Sequence, residues 1–127
     1  MQVDLGSPII ITKKSRYTME KAEIIEMGHF STLEQFEFKI NHFRNYDKKK
    51  ILNHGGYTVI TFVRNGKPYS TVSRCSANDA YEKDIGIYEC FKRYAKRVYN
   101  RRLFMVDKDV TGTYMVFLSA EEDQKKD

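Results

Sequence analysis

Residues 73–102 read S-R-C-S-A-N-D-A-Y-E-K-D-I-G-I-Y-E-C-F-K-R-Y-A-K-R-V-Y-N-R-R. This stretch decides the fold because it joins a hairpin to the one strongly amphipathic helix. Counting from Ile87, the residues Cys90, Phe91, Tyr94 and Val98 fall at offsets of three, four, seven and eleven, which places all five on one stripe of a 3.6-residue period. That stripe is expected to pack on a sheet. Lys92, Arg93, Lys96 and Arg97 occupy the other side, with Arg101 and Arg102 just beyond, so the outer face and the C-terminal end are cationic, as the negative end of a helix dipole prefers. Ser76 followed three residues later by Asp79 reads as a helix start, with a first turn from Ala77. Gly86 inside the pattern costs about 1 kcal/mol relative to alanine. It marks either a break between a short and a longer helix or a close backbone approach; the break is the expectation, with Asp84 as the second cap.

Outward toward the N-terminus, Tyr57–Val63 and Pro68–Arg74 flank Asn65-Gly66. Asparagine followed by glycine supplies the two positive φ angles of a type I′ turn, so these strands pair as a hairpin. The register sets Phe62 opposite Tyr69, Ile60 opposite Thr71 and Val59 opposite Val72. Asp47–Leu52 and the Asn53-His54-Gly55-Gly56 cluster form a polar turn region before it. Upstream, Ser31 and Glu34 form a capping box ahead of Leu33, Phe36, Ile40 and Phe43, which share a helical face, while Phe36, Phe38, Ile40 and His42 alternate as a strand would. The cap tips the expectation to helix. Met19–Met27, ending at Gly28, also reads as helix, and Ile9-Ile10-Ile11 as a short strand followed by a loop through Lys13, Lys14, Ser15 and Arg16.

Outward toward the C-terminus, Leu103–Val106 and Thr113–Leu118 form a second hairpin across Asp107–Gly112. From Ala120 the chain is a solvated polar tail with nothing to bury. The expected fold is therefore α+β: one domain over residues 1–119, with an antiparallel sheet built from hairpins and one face covered by a long amphipathic helix, and a disordered tail over 120–127.

Composition bounds the function. A chain of 127 residues, 41% apolar and 31% charged, is globular and large enough for one core. Its longest aliphatic run, Pro8–Ile11, is too short to cross a membrane. Met1-Gln2-Val3-Asp4 lacks the basic start of a secretory signal, which points to a cytoplasmic setting. Cys75 and Cys90 fit reduced core thiols, and His29, His42 and His54 lack metal-ligand spacing. No nucleophile elbow, phosphate-cradling glycine loop or zinc-protease motif is present, so a non-enzyme is expected, with no cofactor. A net charge of +5 and a pI near 9.1 attract phosphate.

Two constellations follow. Arg74, Asn78, Asp79, Tyr81 and Lys83 fall where a strand hands over to a helix: arginine offers a phosphate fork, asparagine reads base edges and tyrosine stacks. Arg93 and Arg97, with Arg101 and Arg102, form a ridge able to hold a phosphate backbone or an acidic protein. The bland account of the same residues makes Asn78 and Asp79 capping residues, Tyr81 a core residue and the arginines a solvated helix face.

The spacing Cys75, Asp79, Tyr81, Lys83 and Gly86, with Arg93, Ala95 and Arg97 in the following helix, resembles small accessory proteins encoded by bacteriophages. Among these it is most similar to the Thoeris anti-defence sponges, over about Tyr57–Arg101. The resemblance implies a non-enzymatic counter-defence protein in the host cytoplasm that sequesters a phosphate-bearing cyclic nucleotide, with arginines on the phosphates, an aromatic on the adenine and the site shared between subunits of an oligomer. The competing expectation is a basic interaction protein that binds nucleic acid or blocks a nucleic-acid-binding host defence complex, as an anti-CRISPR protein does. A virion assembly protein is a third.

Overall fold

The computed structural model describes residues 19–120; the Ile9–Ile11 strand, the loop after it and the tail from Glu121 lie outside them. The element order is β1 (Glu20–Glu26), β2 (Ser31–Phe43), β3 (Tyr46–Asp47), β4 (Lys50–Ile51), β5 (Tyr57–Arg64), β6 (Lys67–Arg74), α1 (Lys83–Tyr94) continued by a π turn (Ala95–Tyr99), β7 (Leu103–Lys108) and β8 (Tyr114–Leu118). Six strands form one sheet in the order β6-β5-β2-β1-β8-β7, and β3 pairs with β4 as a separate ribbon. The fold is α+β with a helix packed on the sheet, as expected. One junction is not antiparallel: β1 runs parallel to β8, with Ala22 opposite Tyr114.

The Asn65-Gly66 hairpin forms with φ of 51° and 76° at its two turn residues. Phe62 pairs with Tyr69, Ile60 with Thr71 and Val59 with Val72, the register that the turn chemistry dictates. The second hairpin, β7 with β8, also forms.

Both upstream helices are corrected to strands. Residues 20–26 are β1 and residues 31–43 are β2, paired antiparallel across a turn in which Gly28 takes φ 95° and Phe30 takes φ 53°. In β2 it is the alternating set that is buried: Phe36 and Phe38 are inside, whereas Leu33 and Phe43 of the would-be helical face are 38% and 45% exposed. Pairing with β5 along Glu37–Phe43 satisfies the backbone and buries the phenylalanines together, which outweighs one local cap. Glu34 is drawn away from any capping role, because its carboxylate accepts two hydrogen bonds from Arg64, at 2.9 and 3.2 Å.

The helix begins later than Ser76 implies. Asp79 N donates to Ser76 O at 3.0 Å and Asn78 N to Ser76 Oγ at 3.3 Å, a turn rather than a first helical turn. The N-cap is Glu82, extended at φ −126°, and Asp84 sits in the first turn instead of capping. Nor does Gly86 break the helix. It is buried inside α1, where an added β-carbon would lie 2.9 Å from Thr58 Cβ; the glycine lets helix backbone rest on β5.

The predicted stripe meets the sheet as expected. Tyr94 stacks on Phe62 with ring centroids 3.8 Å apart, and Phe91 meets Phe38 edge-on at 5.3 Å. Offset and edge-on rings satisfy the aromatic quadrupole while filling the space between layers. Asn100 at φ 56° closes the π turn, its N–H reaching Lys96 O at 3.1 Å.

Candidate functional site

The segment 75–82 between β6 and α1 is stitched to residues 53–56. Cys75 N donates to Gly56 O at 2.9 Å, Gly55 N to Asp79 O at 3.2 Å and Tyr81 N to Asn53 O at 2.8 Å. Gly56 is required there: at φ 91° a β-carbon would sit 2.6 Å from Phe43 O and 3.3 Å from Tyr81 Cδ1, a place only glycine can occupy. The stitching turns Tyr81 inward. Its hydroxyl lies 2.6 Å from His42 Nδ1, 2.7 Å from Thr58 Oγ1 and 3.3 Å from Tyr57 O, and Thr58 Oγ1 lies 3.1 Å from His42 Nδ1. The two hydroxyls and Nδ1 thus share one small hydrogen-bonded cluster, in which the imidazole tautomer sets which atoms donate. Burial, then the charges of Lys83 and Arg44, push the His42 pKa below its ordinary value, against the opposing pull of Asp84. The Arg44 guanidinium covers the Tyr81 ring at 4.5 Å and donates to Leu52 O at 2.9 Å.

Of the residues expected at this handover, Arg74, Asp79 and Tyr81 line one cleft of about 410 Å³, together with Glu82 and Glu89. Asn78 and Lys83 are exposed and are not part of its lining. Among the described residues three carboxylates against one guanidinium make this cleft a poor place for phosphate. Arg74 itself lies over the ring of Tyr57 at 5.1 Å, and Tyr57 stacks on Phe43 at 4.9 Å and 20°. This cation–aromatic row crosses three adjacent strands. Cys75 Sγ sits 3.5, 3.4 and 3.4 Å from the carbonyl oxygens of Ser76, Asp79 and Ala80, so its thiol helps to organise the loop.

Arg93 and Arg97 are both exposed on the outer side of the helix and its π turn. The ridge is not continuous, because Arg101 is half-buried and its Nη1 pairs with Glu26 Oε2 at 3.2 Å. Arg97 lines a second cleft, about 570 Å³, between the β5–β6 turn and the end of the helix, together with Arg64, Asn65, Lys67, Pro68, Tyr69 and Val98. Among the described residues no carboxylate lines it. Arg64 is held in place from behind by Glu34, to which Tyr99 also donates its hydroxyl. Burial, then that hydrogen bond to Glu34, raises the Tyr99 pKa. Burial first, with the Glu34 charge second, pushes Tyr94 up to about 12. Lys67 and Arg97 are exposed and make no ion pair among the described residues.

Sequence alone singles out Arg97 but not Arg64, Asn65, Lys67 or Tyr69. Their signal is present as the basic turn Arg64-Asn65-Gly66-Lys67, which serves there only to place a hairpin; nothing local says that this turn faces the helix end. Among the described residues no group of three or more His, Cys, Asp or Glu side chains is placed to hold a metal ion. Likewise, no helix among them is long and apolar enough to cross a membrane.

Set against known proteins, the chain matches no family model, no curated protein and no solved structure.

Proposed function

We propose that the protein is a non-enzymatic binding protein that captures a phosphate-bearing nucleotide in the cleft between the β5–β6 turn and the helix end. One observation carries this reading: Arg64, Lys67 and Arg97 converge on a cleft of about 570 Å³ whose lining, among the described residues, contains Tyr69 and no carboxylate. The volume lies within the range that holds a nucleotide-sized ligand. Glu34 neutralises Arg64 and fixes it, so Lys67 and Arg97 supply the charge for phosphate, with Arg97 able to offer two parallel N–H donors. The Tyr69 ring and the Asn65 amide supply an apolar face and a polar edge for the base. The resemblance to the anti-defence sponges supports the same class of ligand and a role in removing an immune signal from the cytoplasm of a phage-infected host. In such a role an oligomer would complete the enclosure.

Native mass spectrometry of the protein, as expressed and after addition of cyclic and linear nucleotides, tests this reading. Retention of a nucleotide-sized mass is expected. Arg97→Ala and Lys67→Ala should each weaken retention by about tenfold, the loss of one charge-assisted hydrogen bond, with an unchanged melting temperature. A wild-type protein that ignores the whole panel would overturn it.

A second reading has its own observation: Lys92, Arg93, Lys96 and Arg97 are all exposed on the outer helix face, which suits a nucleic-acid backbone or an acidic patch on a host defence complex. Salt separates the two. Backbone binding falls steeply as salt rises through the physiological range, whereas capture in a cleft is far less sensitive.

A further inference from the structure

Among the described residues the sheet ends in two edges of different character. At one edge, β6 carries Lys67, Pro68 and Arg74, charges and a residue without an N–H, the devices that discourage pairing with another chain. At the other edge β7 has no proline; its charges, Asp107 and Lys108, sit at its C-terminal end, a bulge interrupts its register between Leu103 and Met105, and Phe104 is 60% and Met105 41% exposed. Beside β7 runs a groove of about 660 Å³, lined by Asp84, Ile85 and Glu89 of α1, by Val106 and Asp107 of β7 and by Tyr114, among others. Ile85 is 56% exposed. Lys108, the one cation among the described lining residues, lies over the Tyr114 ring at 4.8 Å. Among the described residues three carboxylates against one ammonium make the groove negative in a chain of net charge +5.

The geometry points to a docking site for an extended segment of another protein, basic and apolar in alternation, that adds to the β7 edge of the sheet. Main-chain hydrogen bonds to the β7 edge provide the affinity, and every second side chain of the segment enters the groove. Basic side chains meet Asp84, Glu89 and Asp107, while apolar ones cover Ile85 and Val106. Exposed apolar residues flanking a strand edge mark such a surface. A second copy of this chain is the poorer occupant. Its β7 would bring another Asp107 and another acidic groove against the first, and like charges oppose that pairing.

Two labelled peptides test the inference by fluorescence anisotropy on the full chain, one alternating valine with lysine and the other valine with glutamate. The Val–Lys peptide should bind and the Val–Glu peptide should not. On Val–Lys binding, amide exchange should slow in Leu103–Lys108. The double variant Asp84→Lys/Asp107→Lys should weaken Val–Lys binding by about tenfold, equivalent to roughly 1.4 kcal/mol. Glu37→Lys, a charge reversal on exposed β2 sequence away from the groove, should leave it within twofold. Equal binding of both peptides, binding of neither, or Val–Lys binding that persists in the double variant would overturn the inference. So would a dimer in solution that the double variant dissociates, since a second copy would then own the groove.

Discussion

Gly86 of the helix and Thr58 of β5 touch so closely that no side chain fits between them: a β-carbon on Gly86 would sit 2.9 Å from Thr58 Cβ and nearer still to its hydroxyl. Gly86→Ala should gain about 1 kcal/mol of helix propensity and lose about 1–3 kcal/mol to overpacking, so the net effect is expected to be destabilising. Thermal melting checks this; a variant more stable than wild type would show that α1 can lift from the sheet freely.

Tyr81 reaches three partners with one hydroxyl, at 2.6, 2.7 and 3.3 Å. Tyr81→Phe leaves the ring, and Arg44 above it, in place while depriving His42 Nδ1 and Thr58 of their shortest contacts. A loss of about 1–3 kcal/mol is expected, measured as a lower denaturant midpoint at unchanged slope.

His42 has a depressed pKa in the fold. Above its ordinary value of 6.5 the imidazole is neutral in both folded and unfolded chains. As the pH falls below that value the unfolded chain takes up the proton first, so the stability contributed by neutral His42 is lost in that direction. His42→Asn sets a non-titrating amide in place of the imidazole and removes the titration. Its stability should fall less than that of wild type between neutral pH and mildly acidic pH, as read from melting temperatures across that window; parallel curves would rule out His42 as the source.

Glu34 holds both Arg64 and Tyr99. Glu34→Gln keeps the shape but weakens the clamp, with an expected cost of about 1–3 kcal/mol and, because Arg64 then moves, a weaker nucleotide cleft. Titrating the phenols by absorbance gives an independent check. Tyr94 should ionise only near 12, held up first by burial, and since its ordinary value is 10.0 the fold should lose stability as pH rises through that interval.

Both hairpins were legible in the sequence: Asn65-Gly66 admits one kind of turn, and alternation on either side then fixes which residues pair. The helix stripe from Ile87 to Val98 was legible too, because a 3.6-residue period in apolar residues is local information. Residues 20–26 and 31–43 were not, since Ser31 and Glu34 carry a genuine helix signal that only distant partners overrule. Glu34 finds Arg64 and Tyr99, Phe38 finds Phe62 and Phe91, and β1 finds β8 in parallel from the far end of the chain.

The candidate site divides in the same way. Sequence by itself determined that the chain is basic, that its cations cluster around the helix, and that Arg74, Asp79 and Tyr81 lie close together at a strand-to-helix junction. Tertiary structure alone decided that this junction gathers Glu82 and Glu89 into an acidic cleft, and that Arg97 meets Lys67 from a turn thirty residues away to form the cationic one. The physical reason is that turn type and periodicity are properties of neighbouring residues, whereas the sign of a cleft is a sum over side chains that only packing brings within a Debye length of one another.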